Sequence, residues 1–143
     1  MTHKDEGHYS DKHSGEKIDK ACADKLAQVS AKEEITCAAA HKAAQSLGVT
    51  PEQIGVQIDL LELRITECQL GLFGYAGTKK KLDPDIQIEK DLDRELDGRV
   101  IHKRISCSDC WDIAAAHKVK RLDIGSACEK KKVRVKPCQL GTF

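Results

Sequence analysis

The chain has 143 residues, with 24 basic and 23 acidic side chains that leave a formal charge of +1, and only five aromatic residues. Such a length is one domain or two very small ones, and the neutral balance disfavours a histone-like polycation. No apolar run approaches the roughly 20 residues of a membrane span. The opening MTHKDEGHYSDKHSGEK has no apolar stretch of the kind a secretory leader carries, so a cytoplasmic location is expected. Seven cysteines in such a chain read as reduced thiols, metal ligands or redox groups rather than as a disulfide scaffold.

The tetrapeptide Cys68-Gln69-Leu70-Gly71 recurs as Cys138-Gln139-Leu140-Gly141, and the offset of 70 superposes residues 18–73 on 88–143 without a gap. Fifteen of those 56 positions are identical, against about three or four expected by chance. The chain reads as a tandem duplication: a disordered polar tail at 1–15, unit 1 at 16–73, a linker at 74–85 and unit 2 at 86–143.

Read together, the repeats predict the same order of elements. Residues 17–28 and 86–97 are helical in composition, the second stopping at Asp97-Gly98. A short β-branched stretch follows at 34–36 and 104–106, then a small-residue helix at 37–47 and 107–118. In the first repeat that helix closes at Leu47-Gly48-Val49. Thr50-Pro51-Glu52 then opens another, with a threonine N-cap and proline in the first helical position, running to about Leu61. Its counterpart spans 121 to about 131. Residues 63–66 and 133–136 alternate as short strands before each CQLG turn. In the linker, Gly77-Thr78 is the expected tip of a wing.

Residues 40–58 resemble a helix-turn-helix. Ala44 is the small residue where two helices cross, Gly48 the turn former, and Val49, Ile54 and Ile58 lock the second helix. The second repeat offers Ala114, Val119, Ile124 and Cys128, with Lys118 replacing the turn glycine. With a preceding helix and flanking strands, each repeat is similar to a winged helix-turn-helix, and the tandem resembles the DNA-binding part of molybdate-responsive (ModE-like) regulators. The fold class is therefore mainly α (α+β), with two units of three helices and short strands. The resemblance implies binding of duplex DNA through the second motif helix.

Charge divides that role unequally. Residues 16–73 carry six basic and nine acidic groups, whereas 86–143 carry thirteen and nine. The motif helix of unit 1 has three acids and no base, although Gln53 and Gln57 have the amides to read a base edge. Phosphate neutralisation needs Lys or Arg, so DNA contact is assigned to unit 2 and a protein-docking surface to unit 1. The candidate DNA contacts are Lys118, Lys120, Arg121, Lys130, Lys131, Lys132, Arg134 and Lys136. Asp123 and Ser126, on the same helix, are candidates for selectivity.

The cysteines support an alternative class, a redox or metal-sensing adaptor. Cys37 and Cys68, matched by Cys107 and Cys138, end the two strands of each repeat and form redox pairs if those strands pair. Cys107, Cys110, Cys128 and Cys138 hold four sulfurs beginning with CxxC spacing, suited to zinc or an iron–sulfur cluster. Against this, Cys110 aligns with Ala40 and Cys128 with Ile58, core positions where cysteine acts as a small hydrophobe. The favoured reading is no cofactor, and Cys22, aligned with Leu92, is core. His3, His8 and His13 offer at most a loose metal site; His41 and His117 are boundary residues. No catalytic constellation points to an enzyme. Gly55 and Gly125, each inside a helix at about 1 kcal/mol relative to alanine, predict close approach of another backbone, that of the adjoining strand or helix.

Overall fold

A computed structural model describes residues 9–77 and 79–143. The element order is α1 (Lys20–Val29), β1 (Glu34–Thr36), α2 (Cys37–Leu47), α3 (Pro51–Leu60), β2 (Arg64–Thr66), α4 (Lys90–Arg99), β3 (Arg104–Ile105), α5 (Cys107–His117), α6 (Arg121–Lys130) and β4 (Arg134–Val135). Every helix of the second set starts and ends 70 residues after its counterpart. The sequence offset is therefore a structural offset.

Local chemistry explains the boundaries. Thr36 and Ser106 cap α2 and α5 by accepting from the amides of Ala39 and Asp109, and Thr50 forms a reciprocal capping box with Gln53. Gly48 ends α2 in the left-handed region at φ 68. Lys118 holds the equivalent conformation at φ 54, which costs an L-residue about 1 kcal/mol, so the turn is kept without its glycine. Gly98, expected as a stop, lies inside α4, which continues to Arg99 because Val100 still donates to the Leu96 carbonyl.

The chain divides into two compact units: residues up to Glu67 with Gln139–Phe143, and Cys68–Cys138. These cut across the sequence repeats, since each unit takes CQLG-turn residues from the end of the other repeat. Unit 1 packs α1, α2 and α3 around Leu26, Ala40, Ala44, Ile54 and Ile58, and unit 2 packs α4, α5 and α6 around Leu96, Cys110, Ile113, Ile124 and Cys128. Volume shifts compensate between the cores: Ile113 replaces Ala43 and Cys110 replaces Ala40, while Cys128 is smaller than Ile58. Total volume is what a close-packed interior conserves.

The strands depart from the winged expectation. β1 pairs with β2 in parallel, Ile35 opposite Ile65, and β3 with β4 in parallel, Ile105 opposite Val135. A parallel pair needs a crossover, here the helix pair itself, so these strands close a β-α-α-β unit and form no hairpin wing. The linker contains an antiparallel bridge, Tyr75 to Lys79; Thr78 of the expected tip lies outside the described residues.

Part of the expected disordered tail is ordered. Residues 9–13 form a 3-10 helix whose first amides, Tyr9 and Ser10, both donate to the Glu62 carboxylate at 2.9 Å. Tyr9 is 2 % exposed. His13 and Lys12 reach the buried Asp59 carboxylate at 2.7 and 3.1 Å. Residues 1–8, with His3 and His8, lie outside the described residues.

The helical glycines are explained by a backbone approach, though the partner is neither strand nor helix. A Cβ on Gly55 would stand 2.0 Å from the Leu140 carbonyl oxygen, and one on Gly125 would stand 1.7 Å from that of Leu70. The CQLG turns therefore press directly on α3 and α6. Gly98 has open space. Gly55→Ala and Gly125→Ala should each cost about 2–3 kcal/mol through backbone overlap, and Gly98→Ala should stabilise by about 0.5–1 kcal/mol through helix propensity. Urea denaturation of the three variants checks both signs.

Candidate nucleic-acid interface

Unit 2 holds all the candidate DNA contacts, and its geometry sorts them. Ten residues of α6 span about 15 Å. Lys118, Lys120 and Arg121 therefore lie at one end of the helix, and Lys130 to Lys136 at the other. Lys120 and Lys130, from opposite ends, line one groove beside the helix.

Between them the helix is covered. Residues 124–128 are all buried. Ser126 is 3 % exposed, and its hydroxyl accepts from the Asp83 amide at 2.8 Å, so it holds the linker in place and reads no base. Leu70 lies over Gly125. Asp123 is half-buried, and what stays open beside it is a groove of about 750 Å3 lined by residues including Leu82, Pro84, Lys120, Leu122 and Lys130. The middle turns of α6 lie under the protein's own chain, and its exposed or half-buried positions are at the two ends, 121–123 and 129–130.

Two of the lysines are already engaged. Lys131 caps the end of α6 and pairs with Asp93 and, at 2.9 Å, with Asp97, both on α4. Those carboxylates push its ammonium pKa up. This lysine ties α6 to α4 instead of reaching outward. Lys130 donates to the Ile86 carbonyl at 2.8 Å. At the other end, the exposed Arg121 guanidinium stacks 3.6 Å from the Trp111 ring centroid, a cation–π contact, and reaches the Gln69 amide oxygen at 3.4 Å.

The strand pair supplies the densest unengaged charge. Ile105 and Val135 point into the core, so alternation sends Arg104 and Arg134 outward, and the two are direct register partners. Lys103, Lys132 and Lys136 flank them and are exposed. Among the described residues none of these five side chains is in an ion pair. Lys132, Arg134 and Lys136 were legible as candidates. Lys103 and Arg104 were missed because they precede the helix-turn-helix; comparing them with Glu33 and Glu34 at the repeat offset was the signal.

Repeat 1 carries different charges on the same scaffold. There Glu34 is the register partner of Arg64, an opposite-charge pair. The counterpart of Lys132 is Glu62, which holds the 3-10 helix at 9–13. Facing like charges on paired strands cost about 0.2–1 kcal/mol, so the second sheet carries a repulsion that the first avoids.

The cysteines separate into different places. Among the described residues no three His, Cys, Asp or Glu side chains converge to hold a metal ion. The CxxC-containing set is split: Cys110 and Cys128 share a hydrogen bond in the core, whereas Cys138 is the near neighbour of Cys68. Cys37 and Cys68 belong to different compact units, whereas Cys107 and Cys138 share one. The hydrogen bond to Cys128, then burial, holds the Cys110 thiol far above its ordinary range. Burial likewise pushes the Cys68 thiol up. Cys22, Cys37 and Cys107 are buried and Cys138 is half-buried.

No family model, curated protein or solved structure matches the chain. No helix among the described residues is long and apolar enough to cross a membrane.

The thiols set an alkaline limit. A thiol whose pKa is higher folded than unfolded contributes stability that is intact below the ordinary 9.0 and is lost as pH rises towards the folded value. The urea midpoint should therefore hold through neutral pH and fall above about pH 9. Thiolate absorbance from Cys68 and Cys110 should rise together with loss of the helical circular dichroism signal, whereas Cys128, whose pKa the Cys110 hydrogen bond lowers, ionises earlier. Ionisation of Cys68 and Cys110 while the helices remain intact contradicts this.

Proposed function

We propose that this chain is a DNA-binding regulator in which unit 2 grips the phosphate backbone through the β3–β4 edge, and unit 1, acidic on the equivalent edge, serves as a protein-docking surface. The observation that carries the reading is the Arg104–Arg134 pair, two exposed arginines that are register partners on the parallel strand pair, where the first repeat has Glu34 opposite Arg64. A polyanion relieves the repulsion of that arginine pair. Guanidinium forks suit phosphate oxygens, and neutralising phosphates releases condensed counterions, which makes affinity salt-dependent.

The helix-turn-helix resemblance enters in reduced form. Lys118, Lys120 and Arg121, at the turn and the start of α6, are placed for a second phosphate contact, while Asp123 and Ser126 contribute no base reading. Affinity should accordingly depend on salt more than on sequence. The alternative class, a thiol-based sensor, keeps one supporting observation, the hydrogen-bonded Cys110–Cys128 pair. The pairs expected at Cys37/Cys68 and Cys107/Cys138 belong to the same alternative, as does a zinc or iron–sulfur site, for which no group of three metal-binding side chains is assembled among the described residues.

Anisotropy titrations with a labelled duplex at about 50 and about 200 mM salt test the proposal. Arg104→Glu, which recreates the charge pair of the first repeat, should weaken binding at least tenfold and lower the salt slope by about one, while raising stability by about 0.5 kcal/mol. Ser126→Ala should leave the salt slope unchanged. Salt-independent binding, or equal affinity for Arg104→Glu and the parent, overturns the reading.

A further inference from the structure

Each compact unit is finished by residues from the end of the other repeat. Unit 1 uses Gln139–Phe143, and unit 2 uses the segment beginning at Cys68. The two segments are nearly the same peptide, Gln-Leu-Gly-Leu-Phe and Gln-Leu-Gly-Thr-Phe. Both place the leucine in a fully enclosed position, with Leu70 at 0 % and Leu140 at 2 % exposure. Both lay the leucine carbonyl on a helix glycine, and both turn at a following glycine in the left-handed region, φ 79 at Gly71 and φ 78 at Gly141. In unit 1 the segment is held by further contacts: Thr142 is buried, and Lys12 donates to the Gly141 carbonyl at 3.5 Å.

We propose that the face of α3 around Gly55 is a recognition groove for a Gln-Leu-Gly-x-Phe segment, and that a second copy of this chain fills it with its own residues 139–143. The contacts are backbone approach, one enclosed leucine and a glycine turn, none of which depends on which molecule supplies the peptide. Within one chain, tethering gives the segment an effective concentration of about millimolar. The self-filled form therefore dominates in dilute solution, and exchange between copies appears on refolding at high protein concentration.

Two variants separate donor from acceptor. Deleting residues 139–143 leaves the groove open with no segment to give. Gly55→Ala blocks the groove and leaves the segment free. Each variant alone should run as a monomer by light scattering, and their mixture should form a 1:1 heterodimer. Absence of a heterodimer, with both variants helical by circular dichroism, overturns the proposal. If either variant fails to fold, the parent sequence decides. Normal and isotope-labelled chains carrying Phe143→p-benzoylphenylalanine are refolded together at high concentration and irradiated. Cross-links of mixed mass between position 143 and unit 1 residues support exchange, and cross-links of uniform mass alone overturn it.

Discussion

A carbonyl oxygen pressed against a helix where no side chain stands organises both units. At Gly55 and Gly125 the helix surface is bare backbone, and the Leu140 and Leu70 carbonyls occupy the space that a Cβ would need. That approach seats a leucine in each core and draws the CQLG turn over the helix. It also determines which residues make a unit, because the turn covering each helix belongs to the other repeat. The glycines weaken helix propensity, and the approach they permit provides the compensating burial.

The same covering changes what the helix pair can do. In a helix-turn-helix the second helix presents one face to its partner helix and the opposite face to a groove in DNA. Here α6 has the first face packed on α5 and the middle of the second under Leu70 and Asp83. In unit 1 the corresponding surface of α3 is covered by Leu140 and the 3-10 helix at 9–13. The outer face of each strand pair stays exposed, with Glu34 and Arg64 on the first and Arg104 and Arg134 on the second. On that face the charges are reversed at three positions: Glu33, Glu34 and Glu62 stand where Lys103, Arg104 and Lys132 stand in the second. One scaffold thus carries two electrostatic surfaces, and the net charge of +1 is the sum of unlike halves.

The cysteines follow the core more than any chemistry of their own. Cys110 and Cys128 occupy the places of Ala40 and Ile58, and their volumes trade against each other across the helix pair. Their shared hydrogen bond gives two weakly polar groups a partner where water does not reach, which a buried polar group requires. It also keeps Cys110 protonated, and a protonated thiol is a poor nucleophile and metal ligand. Cys138, half-buried beside Cys68, is the most accessible of the set.

The duplication, the helices and the core were legible in the sequence, because a shared offset, cap residues and apolar spacing are local properties. Thr50-Pro51 and the small-residue run at 37–47 placed two helices to within a residue. The alignment of Cys110 with Ala40 already marked that cysteine as buried. Strand direction, the ordered residues 9–13, the engagement of Lys131 by Asp93 and Asp97, and the burial of Ser126 were not legible, since each depends on residues 30 or more positions away in the chain. The sequence by itself determined that two equivalent units exist, that only the second is basic, and that a backbone must approach Gly55 and Gly125. Only the tertiary structure decided that this backbone is the CQLG turn at the end of the other repeat. A glycine records that space is needed and carries nothing about which segment will fill it.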